Sequence, residues 1–276
     1  MKIKITIFAF FALLATFSLI SVAYSNQASD SQTDDWSSLK LKVSTSNQDY
    51  LLGEVVRLNF EIVNEGSKKI ILPGCSTVKG GYLRIHIAYE NQPFKEYFGS
   101  GSRWQLDGGC GDAVSLEPGQ SFKTNTTVLW NVKPEVLHLN EDAAKRVAEG
   151  RIMNDYALPK SGVYFIKAVL RLPGETRPTI ESEGVQVVIN EPVEDDLEVW
   201  SQIKDKGDIA YFIQQGGTPT YQDEKAEKLL KEVEQIVRKY PNSYLASQMK
   251  QKLEKFRMDE EKRKEMLEKA RIKPKN

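Results

Sequence analysis

The feature that most constrains this chain is a change of hydrophobic period at Pro192. Upstream of it, apolar residues recur at every second position. Leu39, Leu41 and Val43 alternate with Lys40, Lys42 and Ser44, and Val56, Leu58, Phe60 and Ile62 alternate with Arg57, Asn59 and Glu61. Such alternation turns one side of an extended chain to a core and the other to water, so these segments read as half-buried strands. Lys69 to Leu72, Tyr82 to Glu90, Ser121 to Trp130, Val163 to Leu172 and Gly184 to Asn190 are further candidates, punctuated by Gly, Pro, Asn and Ser. Seven short strands without long helical patterns between them predict an antiparallel sandwich over 38–191 rather than βαβ units. The interval 131–160 is too long for a plain connection. Asn140, Glu141 and Asp142 ahead of Ala143, Ala144 and Val147 predict a short capped helix inside it.

Downstream of Pro192 the period becomes 3.6. Val193, Leu197, Trp200 and Ile203 form one apolar stripe, and Ile209 to Gln215 predicts a second short helix closed by Gly216 and Gly217. Ala226, Leu229, Leu230, Val233, Ile236, Val237 and Tyr240 line one face of a longer helix that stops at Pro241. Asn242 and Ser243 then open another, with Leu245, Met249, Leu253 and Phe256 inward. From residue 257 to 276 the pattern is charged all round, with eight basic and five acidic residues interspersed, which predicts a solvated helical tail.

Residues 1–25 carry Lys2 and Lys4, an apolar run from Ile5 to Val22, and Ala23-Tyr24-Ser25, the three parts of a secretory leader. Cleavage after Ser25 is expected, an uncleaved signal anchor being the competing reading, and the polar stretch 26–37 reads as a flexible tether. The chain has 38 basic and 38 acidic residues, and removal of Lys2 and Lys4 leaves 36 against 38. A nearly neutral protein has no global attraction for nucleic acid or anionic lipid. No later stretch is long and apolar enough to span a bilayer, so an exported protein of the periplasm or the extracellular space is expected. Cys75 and Cys110 are the two cysteines, both in glycine-rich loops, and in an oxidising compartment they are most simply one disulfide. A catalytic thiol with His86 or His138 would need a nucleophile motif that neither cysteine has.

In Leu158-Pro159-Lys160-Ser161-Gly162-Val163-Tyr164, a tyrosine follows a Gly turn just inside a late strand, where its hydroxyl can fold back onto the preceding connection. With Gly53-Glu54-Val55-Val56 opening an early strand and Glu117-Pro118-Gly119-Gln120 preceding a later one, the region resembles the immunoglobulin-like or fibronectin-like sandwiches of exported bacterial proteins. Tyr164 would be its structural corner. The phrase Ile236 to Ala246, with Lys239-Tyr240-Pro241-Asn242-Ser243 at its centre, resembles the turn of tetratricopeptide-like hairpins of bacterial envelope proteins. The expected fold class is therefore two-domain: an all-β antiparallel immunoglobulin-like sandwich over 38–191, followed by a small α-helical hairpin domain over 193–256. Such families imply binding or spacing rather than one activity.

Chemistry-bearing patterns are sparse. Two histidines cannot build a three-His metal site, and His86 reads as a solvated strand residue. Asp107 and Asp112 are interrupted by glycines where a calcium loop needs alternating acids. Gly99-Ser100-Gly101 lacks the third glycine of a dinucleotide fingerprint, and Asn125-Thr126-Thr127 is a sequon inside a strand. No metal, cofactor or catalytic residue is expected. Phe94, Tyr97, Phe98 and Trp104 crowd one loop and are the candidate binding residues, as an aromatic strip for a glycan or a protein. The sequence thus predicts a non-enzymatic exported binding or scaffold protein, its sandwich taking a ligand or protein and its hairpin docking a protein partner. Two alternatives stand beside it: a proteinase-inhibitor-like sandwich presenting loop 93–109, and an accessory factor of an envelope hydrolase.

Overall fold

A computed structural model describes residues 36–97, 99, 111–131, 155–173, 178–218 and 223–272. The expected leader, almost all of the tether and the expected helix near 140–150 lie outside the described residues. Ser37–Asn276 forms one compact unit.

Strands occupy the seven segments where alternation predicts them. Strands β1 (Leu39–Thr45), β3 (Val56–Asn64) and β8 (Ser121–Val128) make a three-stranded antiparallel sheet. The second sheet runs β2 (Asp49–Leu51), β13 (Val185–Asn190), β11 (Gly162–Arg171), β5 (Leu83–Tyr89) and β6 (Lys95–Tyr97), with β12 (Thr179–Glu181) paired to β11. Two small ladders, β4 (Ile70–Leu72) with β7 (Val114–Leu116) and β9 (Trp130–Asn131) with β10 (Asp155–Tyr156), complete the strands of the described residues. Strand β1 lies over β11, β12 and β13. Leu58, Phe60 and Ile62 of one sheet and Leu83, Ile85, Ile166 and Leu170 of the other are buried, so a sandwich core forms as the alternation requires. Asn64 closes the β3 turn: its amide donates to the Lys68 and Leu116 carbonyls at 2.8 and 2.9 Å and accepts from the Gly66 N–H at 3.0 Å.

The α-helices of the described residues are α1 (Glu194–Ile203), α2 (Gly207–Gln215), α3 (Asp223–Lys239) and α4 (Tyr244–Ile272). Their buried faces meet strand residues in one cluster that joins Leu129, Trp130 and Tyr156 to Val199, Ile203, Phe212, Val233 and Met249. The all-β antiparallel expectation is therefore corrected. The fold is mixed, with helix and strand each 34% of the described residues and with β13 and β2 running parallel. Parallel pairing was hidden because β2 is only three residues long, too short for a visible period.

The phase of α1 also departs from the expected stripe. Val193 and Leu197 are 65% and 48% exposed, whereas Val199 is fully buried. Asp196 sets this rotation. Its Oδ1 accepts from Ser243 Oγ at 2.6 Å and from the Leu245 N–H at 2.9 Å, capping α4. Asp196, Val199, Trp200 and Ile203 thus share the inward face at i, i+3, i+4 and i+7, and Asp196 takes the inward place that the expected stripe gave to Leu197.

Candidate functional site

A cleft of about 310 Å³ opens where the β5–β6 edge faces the segment 155–160. Its floor is Tyr97, Tyr156 and Tyr164, all buried. One wall is the half-buried Tyr89, and the rim carries Gln92, Pro93, Lys95, Pro159 and Lys160, all exposed. The two walls come from distant parts of the sequence, held together by the β5–β11 ladder that pairs Tyr89 with Tyr164. Their rings lie 5.0 Å apart, tilted by 59°. Gly162, at φ +131°, makes room for this contact, because a Cβ there would lie 2.7 Å from the Tyr89 ring.

The hydroxyls of the cleft are committed to the protein. Tyr89 donates to the Ser161 carbonyl at 3.2 Å, Tyr156 to the Ile203 carbonyl at 3.0 Å, and Tyr97 to the Trp130 carbonyl at 3.0 Å. Tyr164 donates to the Lys160 carbonyl at 3.0 Å and accepts from the Lys160 N–H at 3.2 Å, which ties the rim residue Lys160 to the floor. Burial pushes the Tyr164 hydroxyl up to about 12 and raises Tyr156 further, so both stay neutral donors. The single carboxylate among the described residues of the lining, Glu96, accepts from Arg84 at 2.8 Å. Lys95 and Lys160 carry ammonium groups with no hydrogen bond or ion pair among the described residues. Rigid aromatic walls with two uncommitted cations on opposite sides can bind and orient a ligand.

The expected aromatic strip does not assemble from its described members. Tyr97 is 2% exposed and faces the core, while Phe94 is 42% exposed beneath the Lys167 ammonium, 4.9 Å from its ring centre, on the outer side of the sheet. Three positions apart on an extended chain, the two side chains point to opposite faces. Phe98 and Trp104 lie outside the described residues.

Cys75 is 4% exposed and is not a free thiol. Cys110 lies outside the described residues, but the preceding and following backbones meet: a Cβ on Gly74 would lie 1.8 Å from the Gly111 carbonyl oxygen.

On the outer face, His86 stands opposite Glu96 on one side and Lys167 on the other. Lys167 pairs with Glu181 at 2.6 Å. Burial holds the imidazole below its ordinary 6.5, and its Nε2 is buried without a hydrogen-bond partner among the described residues. Among the described residues no group of three or more His, Cys, Asp or Glu could hold a metal ion, and no helix is long and apolar enough to cross a membrane.

Sequence reasoning missed Tyr89, Lys95 and Lys160. The signal that could have found Tyr89 is its place in an alternating strand, with a turn containing Pro93 just beyond it.

No family model matches the sequence, and no curated protein matches it. Among solved structures the chain is similar to a β-glucosidase of Erythrobacter marinus, at 12% identity and a TM-score of 0.28, over 55% of this chain and 15% of that one. It is similar to an alkylpurine DNA glycosylase of Pseudomonas fluorescens at 9% identity and a TM-score of 0.29, over 55% of this chain and 30% of that one. A CARDB domain from Pyrococcus furiosus, determined with two metal ions, matches at 9% identity and a TM-score of 0.25, over 55% of this chain and 87% of that one. The chain thus spans less than a third of the length of the first two. Likeness at this level assigns neither activity nor family.

Proposed function

We propose that this chain is an exported, non-enzymatic binding protein whose ligand sits in the Tyr89 cleft. The observation that carries the reading is a cleft whose tyrosine hydroxyls are all satisfied internally while its rim cations have no partner among the described residues. Binding sites of this size combine apolar walls with a few polar groups that fix orientation. The lining supports binding over catalysis, since its one carboxylate is engaged by Arg84 and no nucleophile stands beside a base in it. The tetratricopeptide-like hairpin of α3 and α4 is the second part of the proposal, as a dock for a protein partner. It is supported by Met258, Met266 and Leu267, all more than half exposed on the outer part of α4. Export is supported by the leader pattern, and a Cys75–Cys110 disulfide by the Gly74–Gly111 approach. Thiol labelling of unfolded, unreduced protein should then find no free thiol.

The test uses the residue 26–276 protein immobilised against its native envelope fraction. Wild-type protein retains a ligand, and the Lys95→Glu, Lys160→Glu double variant releases it. Retention by the double variant refutes the cleft as the site, and chemical conversion of the retained ligand refutes the non-enzymatic assignment.

A further inference from the structure

Resting on that reading of the cleft, we infer that its ligand is an acidic, extended segment of a partner protein. Its carboxylates would meet Lys95 and Lys160, and its proline or aliphatic side chains would lie on Tyr89. Three observations lead to this class. The first is charge. Of the three ionised groups among the described residues of the lining, Glu96 is neutralised by Arg84 at 2.8 Å, which leaves Lys95 on β6 and Lys160 on the opposite wall as the two without a partner among the described residues. A ligand that crosses the cleft therefore meets cations on both sides and no free anion in the lining.

The second is the state of the tyrosines. The Tyr89, Tyr156 and Tyr164 hydroxyls are spent on the carbonyls of Ser161, Ile203 and Lys160, so the walls offer ring carbon rather than hydroxyl donors and acceptors. A neutral sugar, with a hydroxyl at nearly every carbon, would find partners at the rim, in Gln92 and the two ammonium groups, but none in the tyrosine hydroxyls of the walls. Pyrrolidine and aliphatic groups, which need only an apolar face, fit better. The third is shape. One wall is β6, which ends the path of its sheet among the described residues, and the rim prolines Pro93 and Pro159 stand on both sides, so an extended backbone can lie along the strand.

The test is fluorescence anisotropy with the residue 26–276 protein and two dye-labelled decapeptides, alternating Glu-Pro and alternating Gln-Pro, with oligogalacturonate of matched charge as competitor. The Glu-Pro peptide is expected to bind about tenfold more tightly than Gln-Pro, which corresponds to two exposed charge contacts. Lys95→Gln and Lys160→Gln should each weaken it about two- to fivefold, and added salt should remove most of the difference. Both lysines are exposed, so the variants should keep the wild-type melting temperature, and circular dichroism checks this. Equal binding of the two peptides overturns the charge assignment while leaving the cleft as a binding site. Displacement by oligogalacturonate at lower concentration than unlabelled Glu-Pro identifies an anionic glycan and overturns the protein ligand. Absence of binding by either peptide also overturns it, whereas failure of the cleft reading itself is registered separately by the envelope-retention experiment.

Discussion

The space between the two sheets and the junction of sheets with helices are held by different means. Between the sheets, Leu58, Phe60, Ile62, Leu83, Ile85, Ile166 and Leu170 supply the buried surface, and polar atoms are nearly absent. At the junction the core is aromatic and threaded with hydrogen bonds. Trp130 and Tyr156 meet edge to face at 5.3 Å, and Tyr156 meets Trp200 at 4.8 Å. The Gln214 side chain, 4% exposed, donates to the Tyr97 hydroxyl at 2.6 Å and to the Thr127 carbonyl at 3.1 Å, and accepts from the Trp130 N–H at 2.6 Å. Packing of interchangeable aliphatics tolerates substitution if volume is kept, whereas a buried polar network is stable only when every member is satisfied. The sandwich is therefore specified by pattern, and the junction by individual residues.

The largest difference should appear when each region loses one side chain. Gln214→Leu keeps size and helix propensity but strands the Trp130 N–H and takes a donor from the Tyr97 hydroxyl and the Thr127 carbonyl, so it should cost about 2–4 kcal/mol in urea denaturation. Ile62→Val, at a position with no measurable exposure between the sheets, should cost only about 0.5–1.5 kcal/mol. A reversed order would show that the junction is dispensable to the fold.

The same difference explains what could be read from the sequence. Among the described residues every strand of six or more residues shows its alternation, and the four α-helices fall, up to Phe256, where the period is 3.6, because burial of a face repeats over many residues. The strands β2, β6, β7, β9, β10 and β12 have two or three residues each and carry no period. Nothing in the sequence marks Gln214 as buried or Asp196 as inward, since each is a single polar residue whose partners arrive from 84 and 49 positions away. The cleft is hidden for a related reason. Tyr97 and Tyr164 stood out in the sequence, but as a loop aromatic and a corner, and only the ladder that sets Tyr89 against Tyr164 makes them neighbours.

Two glycines sharpen the comparison at smaller magnitude. Gly53 and Gly119 are both left-handed, at φ +91° and +77°. A Cβ on Gly119 meets nothing within 4 Å, so Gly119→Ala in the sandwich turn carries backbone strain alone, about 1 kcal/mol. A Cβ on Gly53 would lie 2.6 Å from the Trp200 ring, which the junction cannot move without disturbing Tyr156. Gly53→Ala should therefore cost about 2–3 kcal/mol, the excess being overpacking. Equal melting temperatures for the two variants would mean that Trp200 yields freely.

Acid should act on the two regions with opposite sign. At the junction Glu54 is 7% exposed, accepts from the Leu51 N–H at 2.8 Å and from the Tyr244 hydroxyl at 2.9 Å, and is raised above its ordinary 4.5 chiefly by burial. Its folded form holds the proton more tightly than the unfolded chain, so its contribution to stability declines as pH rises through the range above 4.5. His86 on the outer sheet face is lowered from 6.5 by burial, with Lys167 and Arg171 adding repulsion against Glu96 and Glu181. The unfolded chain binds that proton more readily, so stability declines as pH falls below 6.5. Melting curves from pH 8 to 4 should show a shallower acid-side loss for His86→Asn and a steeper one for Glu54→Gln than for wild type. Parallel curves for all three proteins would show that neither group differs between folded and unfolded states.

The smallest effect is expected at the end of α4, where a single helix belongs to the junction over its first part and to solvent over the rest. Leu245, Met249 and Leu253 are buried, and Phe256 packs on Phe212 with ring centres 6.1 Å apart. Two residues further on, Met258 is 56% exposed, and Met266 and Leu267 are more exposed still. The charged side chains between them pair along the helix, Lys255 with Asp259 and Arg263 with Glu260, at positions where solvent screens the attraction. Arg257 reaches Glu234 on α3 and stays with the packed part. Deleting residues 258–276 should thus shift the melting temperature by less than about 2 °C, whereas Phe256→Ala in the full chain should lower it by about 4–8 °C through lost burial and ring contact. If the deletion costs as much as Phe256→Ala, the outer part of α4 is held against the protein by contacts beyond this helix, and the exposed methionines are not available to a partner.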